Sequence, residues 1–235
     1  MTYDVVWLIR HVCSRCLMPV GRNGRVALDS VCGMGCCSRM WIDKGGEIVG
    51  ARWKHFKTIC KHKAIVYREC KACGIWWQGV IHDLSKFSPI EFGSSARYFQ
   101  GDKSPIEKQK AAEGYSAAWQ HHKGRNPHHW EYWTDFDENG NVIVNMIPYR
   151  YVVEMVCDWI GAGITYSGEK WTQAAPMDYY KQVRSGRHFH PRTEMLIIQF
   201  LKCIRDKGLD EFHNMARCKS PYSYLCVDYE GQYVP

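Results

Sequence analysis

His82-Asp83-Leu84-Ser85-Lys86-Phe87 sets an imidazole beside a carboxylate, with a lysine three residues after the carboxylate. Adjacent side chains on an α-helix point about 100° apart, so a His-Asp pair cannot line one helical face. It can straddle a single metal ion from either side, at a helix end or a bend. The stretch before it, Gly74-Ile75-Trp76-Trp77-Gln78-Gly79-Val80-Ile81, is an apolar helix that carries the pair into a buried site. That helix is expected over roughly 75–85, bearing both His82 and Asp83. A His-Asp dipeptide arises often by chance. Its weight here comes from the histidines and acids on either side.

Upstream, residues 52–73 run without Pro or Gly and end at Gly74, a natural helix-stop residue. This helix carries His55 and His62, seven apart and on one face. Two turns, about 10 Å, separate them, so they do not share one metal. Cys70-x2-Cys73 near its end reads as core packing. Downstream, Ser88-Pro89-Ile90-Glu91 has an N-cap serine, proline at N1 and glutamate at N3, the start of a helix to about Phe99. Ser104-Pro105-Ile106-Glu107 repeats that start and opens a long helix to about Lys123, stopped by Gly124, with His121 and His122 on it. Arg125 to Trp133 is a turn and short helix containing His128 and His129. Asp137 to Val144 reads as a small hairpin or loop. Pro148 begins a helix through about Thr165, with Glu154 and Asp158 four apart on one face. Pro176 and Pro191 each start a further helix, the last ending near Gly208, and the aromatic tail after Ser220 reads as wrapping the surface. The body is therefore all-α, with about seven or eight helices.

The first fifty residues are different, rich in Gly, Cys and Arg. Cys13-x2-Cys16 and Cys32-x3-Cys36, fifteen residues apart, approximate a zinc ribbon or knuckle, with an Asn23-Gly24 turn between them. Four thiolates can hold a structural zinc and replace a core that so short a segment cannot build; free cysteines are the other reading. Three parts follow: a Cys-rich segment over 1–50, a helical metal-binding domain over 51–217, and a tail over 218–235.

Formal net charge is +7. Residues 1–60 hold nine Lys/Arg against four Asp/Glu, so +5 of it lies there. That basic region suits a nucleic acid or another anionic partner, whereas the body is no general phosphate-backbone binder. Twelve cysteines without a secretory signal point to reduced thiols. Val5-Val6-Trp7-Leu8-Ile9 is too short for a signal peptide, and no apolar run of about 18 residues could cross a membrane. A cytoplasmic protein is expected.

In order, the body presents His55/His62, His82-Asp83, His121-His122, His128-His129 and Glu154/Asp158. Of eleven histidines, six fall in three pairs or near-pairs, more than a helical core needs. This order resembles the HD-domain superfamily of metal-dependent phosphohydrolases, whose pattern is H…HD…D on a helical bundle. His82-Asp83-Leu84-Ser85-Lys86 is similar to its HD-x-G-K element, with Ser85 in place of glycine. The additional histidines resemble its dinuclear branches, such as the HD-GYP phosphodiesterases. Residues from about 54 to 208 also resemble an uncharacterised bacterial and phage family, through Lys54-His55-Phe56-Lys57-Thr58, His82 to Phe92, Gly114 to Trp133, and Tyr151 to Asp158.

The resemblance implies an HD-like bundle in which His62, His82, Asp83 and Asp158 bind metal and His122 and His129 complete a second site. His55, His121, His128 and Glu154 are the alternates. It also implies one or two divalent transition metals (Mn, Fe, Co, Ni or Zn), about 3.5–4 Å apart if paired and bridged by Asp83. The expected activity is hydrolysis of a nucleotide-type phosphate ester, monoester or diester. Asp83 sits at its centre, Lys86 offers charge to the phosphate, and Arg125 a bidentate clamp. Lys86 and Arg125 read equally as ion-pair partners of ligand carboxylates. Trp76, Trp77, Trp130 and Trp133 could stack on a base or simply pack the core. A second function class is a non-catalytic, metal-stabilised module binding nucleic acid or a partner protein. A third is a di-iron oxygenase.

Overall fold

The computed structural model describes residues 46–102 and 104–218. Cys13, Cys16, Cys32 and Cys36, the tail after Ser220 and their expected roles lie outside the described residues. The chain divides into two units, Met1–Ile48 and Val49–Pro235, and the architecture below is that of the second.

Nine α-helices account for most of the described residues: α1 (Gly46–Ala72), α2 (Trp76–Ile81), α3 (Pro89–Tyr98), α4 (Pro105–Glu113), α5 (Ala117–Lys123), α6 (Tyr149–Ser167), α7 (Ala175–Val183), α8 (Pro191–Lys207) and α9 (Leu209–Arg217). The fold is all-α, as the sequence implies. A two-stranded antiparallel hairpin, β1 (Thr134–Phe136) and β2 (Val142–Val144), pairs Thr134 with Val144. Its loop is tied by the Asp137 carboxylate, which accepts from the Asn139 and Asn141 backbone N–H groups at 2.9 and 2.8 Å. No described helix is long and apolar enough to cross a membrane.

Four expectations change. The helix expected over 75–85 stops at Ile81, and Leu84–Phe87 forms a separate 3-10 turn. The long helix expected from Ser104 to Lys123 is two helices. Gly114, at φ +78°, ends α4 by donating its N–H to the Lys110 carbonyl, and Ser116 Oγ caps α5 by accepting from Trp119 N at 3.1 Å. Beyond Gly208 the chain continues as α9, whose Phe212 and Ala216 are buried. The described residues thus hold nine helices instead of seven or eight.

α6 is apolar nearly all round because it is the centre of the bundle. Val152, Val153, Val156, Cys157 and Ile160 meet Leu196, Ile197, Phe200, Leu201 and Ile204 of α8, Phe212 of α9, and Val66, Cys70 and Cys73 of α1. Cys70 and Cys73 are core residues, as their helical spacing suggests. Two glycines let the helices that carry the site come close. A Cβ on Gly161 of α6 would stand 2.5 Å from Val66 Cγ2 of α1, and one on Gly79 of α2 would stand 2.9 Å from Tyr67 Cα. The far end of α1 is fixed by Glu69, buried and accepting from His213 of α9 at 2.8 Å. The second group, α3 to α5, packs mainly among itself, with α3 against both α4 and α5.

Candidate metal centre

The His-Asp pair occupies the break between α2 and the 3-10 turn. His82 caps α2 with its backbone N–H on the Gln78 carbonyl. Asp83 follows at φ 53° and ψ 26°, the one non-glycine residue with positive φ among those described. Such a conformation costs on the order of 1 kcal/mol and turns Asp83 back across the bundle. The break is clamped from behind by Lys63 of α1, whose ammonium donates to the carbonyls of Val80 and His82 at 2.8 and 2.5 Å. Burial drives the Lys63 pKa down to about 8, against the pull of Asp83 and Glu154.

The two oxygens of Asp83 face two different sets of histidines. Oδ2 lies 3.2 Å from His82 Nε2 and 3.7 Å from His62 Nε2. Asp158 Oδ1 stands 3.0 Å from that His62 nitrogen and 3.4 Å from that of His82. Oδ1 lies 3.2 Å from His122 Nε2 and 3.5 Å from His128 Nε2, with the His129 ring 4.3 Å from that of His128. Within each set, His62-His82-Asp83-Asp158 and Asp83-His122-His128-His129, the ligand atoms all lie within 4.8 Å of one another.

Two further carboxylates fix which nitrogens point inward. Glu154 of α6 accepts from His82 Nδ1 at 2.9 Å and from His128 Nδ1 at 3.1 Å, while Gln78 donates to its other oxygen. Glu91 of α3 accepts from His122 Nδ1 at 2.8 Å and from His121 Nδ1 at 2.5 Å. With each Nδ1 proton held on a carboxylate, the Nε2 lone pairs of His82, His122 and His128 converge on Asp83. Among the described residues the buried Nε2 atoms of His62, His82, His128 and His129 and the Oδ1 of Asp83 lack any hydrogen-bond partner, while Asp83 Oδ2 is ion-paired with the Lys86 ammonium at 2.6 Å. Imidazole nitrogens and carboxylate oxygens this close together form groups that could hold a metal ion.

The charge balance points the same way. Asp83, Glu91, Glu154 and Asp158 are four carboxylates in one cluster, against the ammonium groups of Lys86 and Lys63. Without a metal, the imidazoles make up the deficit. Burial opposes a charge on His82, yet Asp83, Asp158 and Glu154 outweigh it and hold its pKa well above the usual histidine value. Burial likewise opposes ionisation of Glu154, but its bonds to His128 and His82 bring its pKa to about 2. His129 is the exception: burial, then the neighbouring His128 and His122, push its pKa far down, so it stays a neutral lone-pair donor. Imidazole nitrogen with carboxylate oxygen is a donor set that fits Mn, Fe, Co, Ni or Zn.

The residues expected from sequence divide clearly. His62, His82, Asp83, His122, His129 and Asp158 all come together. His128, an alternate, joins the second set outright. Glu154, another alternate, orients two histidines from behind. His121 turns away to Glu91. His55, the fallback for the first histidine, is excluded: it packs on Phe92 and Phe99 at 5.4 and 4.9 Å, with neither ring nitrogen bonded. Lys86 ion-pairs with Asp83 Oδ2 at 2.6 Å, the alternative weighed for it. Arg125 is exposed on the turn after α5 and makes no described ion pair. Trp130 and Trp133 pack against the core, while Trp76 and Trp77 are exposed.

Sequence reasoning missed Glu91 and Asn126. Glu91 reads as a capping-box residue, but Ser88 Oγ accepts from the Glu91 backbone N–H at 3.4 Å while the side chain goes inward. Asn126 donates to Ser85 Oγ and to the His122 carbonyl, both at 2.8 Å, locking the turn that follows His122. Its position four residues after His122 was the available signal.

No curated protein and no solved structure matches this chain. Every residue of both sets lies within residues 51–203, which match the family model described as "Family of unknown function (DUF5662)", and the chain belongs to that family.

Proposed function

We propose that this protein is a dinuclear metal-dependent hydrolase of phosphate esters, acting on a nucleotide-type substrate. The observation that carries the reading is Asp83: one buried carboxylate with Oδ2 toward one histidine set and Oδ1 toward the other. Divalent transition metals held there would acidify bound water and polarise phosphoryl oxygens.

The chain's own residues supply the rest. His62, His82 and Asp158 would hold one metal and His122, His128 and His129 the other, with Asp83 contributing to both sets. Solvent reaches the cluster at Asp158 and Lys86, with side chains 15% and 29% exposed; those of His62, His82, His122 and His128 are 8% exposed or less. Substrate phosphate enters on that side, where the Lys86 ammonium keeps Asp83 ionised and offsets incoming negative charge. Burial opposes the Lys86 charge, but Asp83 and Asp158 raise its pKa above the ordinary lysine value, so it stays protonated throughout. Arg125, exposed on the turn after α5, remains the candidate for a second phosphate contact. The unpaired thiols agree with a cytoplasmic setting.

The test is metal content and turnover of wild type beside Asp83→Asn, after reconstitution with each of the five metals. Two equivalents in wild type, lost in the variant together with hydrolysis of nucleotide mono- or diesters, are expected. No metal in reconstituted wild type refutes the reading. Two metals without turnover of any phosphate ester would favour the metal-stabilised binding module, and iron with oxygen consumption the oxygenase.

A further inference from the structure

We infer that Glu91 is the positioning residue of the second metal position alone, whereas Glu154 positions ligands of both, so the two positions lose metal separately when these carboxylates are altered. The inference rests on the dinuclear reading above and deepens it.

Glu91 stands on α3, the first turn of a helix whose cap is already complete, since Ser88 Oγ takes the Glu91 backbone N–H. Its side chain has no capping work and is 3% exposed. A carboxylate buried to that extent is costly unless its oxygens are satisfied. Both are: Oε2 by His122 Nδ1 and Oε1 by His121 Nδ1. Of these two histidines, only His122 belongs to a ligand set, and that set is the one with Asp83, His128 and His129. No ligand of the His62-His82-Asp83-Asp158 set touches Glu91 among the described contacts. Ser85 Oγ at 3.3 Å and Asn126 Nδ2 at 3.1 Å lie beside that same His122 Nδ1, and Asn126 also donates to the His122 backbone carbonyl. His122 is therefore fixed in ring orientation and tautomer by a carboxylate that serves no ligand of the first set.

Glu154 differs in one respect. Its Oε1 accepts from His82, a ligand of the first set, and from His128, a ligand of the second. One oxygen thus orients a donor for each position, and a change there is felt at both.

A carboxylate behind a metal-bound imidazole strengthens metal binding about 10–100-fold. The experiment is equilibrium titration of the metal-free full-length protein with Co2+, following the visible absorption of each equivalent, for wild type, Glu91→Gln, Glu91→Asp and Glu154→Gln. Glu91→Gln is expected to keep one equivalent at wild-type affinity and weaken the other about 10–100-fold. Glu91→Asp, which keeps the charge but falls one methylene short, should do the same and serves if the glutamine variant does not fold. Glu154→Gln should weaken both equivalents. A residue that merely braced α3 against α5 would lower thermal stability without separating the two affinities. Wild-type affinity for both equivalents in the Glu91 variants, or equal weakening of both, overturns the inference. Wild type that binds no Co2+ at all overturns the dinuclear reading itself, and the two failures are told apart by that first titration.

Discussion

Replacing His55 with phenylalanine should make the protein less sensitive to mild acid. His55 is enclosed by Phe92 and Phe99 with both ring nitrogens unbonded, and burial, then the nearby Lys86 charge, lower its pKa from 6.5 to about 4. The sign follows from proton uptake. Below pH 6.5 the unfolded chain takes a proton at this position that the folded protein refuses until about pH 4. Stability is thus fully present above the unfolded value and falls as pH drops through that window. For these two pKa values, the loss between about pH 7.5 and about pH 5 is roughly 2 kcal/mol. Phenylalanine carries no proton, so the variant should lack this loss. Protonation of the histidine–carboxylate cluster is common to both proteins and cancels in the comparison, as does any packing difference that is independent of pH. The assay is urea unfolding followed by tryptophan fluorescence for both proteins at both pH values. Equal losses in the two proteins would show that folded His55 protonates normally, and would refute its placement as a neutral core histidine.

Gly161→Ala should destabilise the protein by about 1–3 kcal/mol, because its Cβ would stand 2.5 Å from Val66 Cγ2 and force α6 away from α1. The same shift draws Asp158 from His62, so thermal melting and first-equivalent Co2+ affinity should fall together; a normal melting temperature would contradict the close approach. Cys157, lying 3.8 Å from Cys73 with its thiol pKa pushed up by burial and by the neighbouring Cys70 and Cys73, should resist alkylation in the native state. Peptide mapping after iodoacetamide treatment should find Cys70, Cys73 and Cys157 labelled only after unfolding, and native labelling would show that this part of the core opens. Lys63→Met should lower stability by about 1–3 kcal/mol, since the Val80 and His82 carbonyls lose a charged donor. Unchanged stability and metal affinity would remove Lys63 from the account of the break.

The all-α fold was legible because helix starts and stops are local chemistry. Ser88-Pro89 and Gly74 mark boundaries that the structure keeps. The split between α4 and α5 was written equally plainly in Gly114-Tyr115-Ser116, a helix-stop glycine followed by an N-cap serine, yet the helix expected from sequence ran through it to Gly124. The members of the candidate site were legible as types and order, because the sequence repeats imidazole and carboxylate in pairs that the fold brings together. What sequence order could not supply was direction. His121 and His122 are adjacent, as are His128 and His129, and which ring turns inward depends on how α5 rolls against α3. His55 and His62 share a face of α1, yet the break at Ile81 brings Asp83 level with only one of them. Glu91 was hidden by a second, correct reading of the same tetrapeptide, since a capping motif and a buried carboxylate look alike until the side chain's path is known.

The left-handed backbone at Asp83 also limits what natural variation can do there. Asparagine and glycine accept φ 53° at least as readily as aspartate, but neither carries a charge to share between the two histidine sets. Glutamate keeps the charge, but it lacks the short polar side chain that eases this conformation and would overreach both sets by a methylene. Backbone shape and bridging charge therefore meet in a single side chain, and no one-residue replacement preserves both. If the two histidine sets hold metal as proposed, a lineage that loses aspartate here has no single substitution that keeps the site.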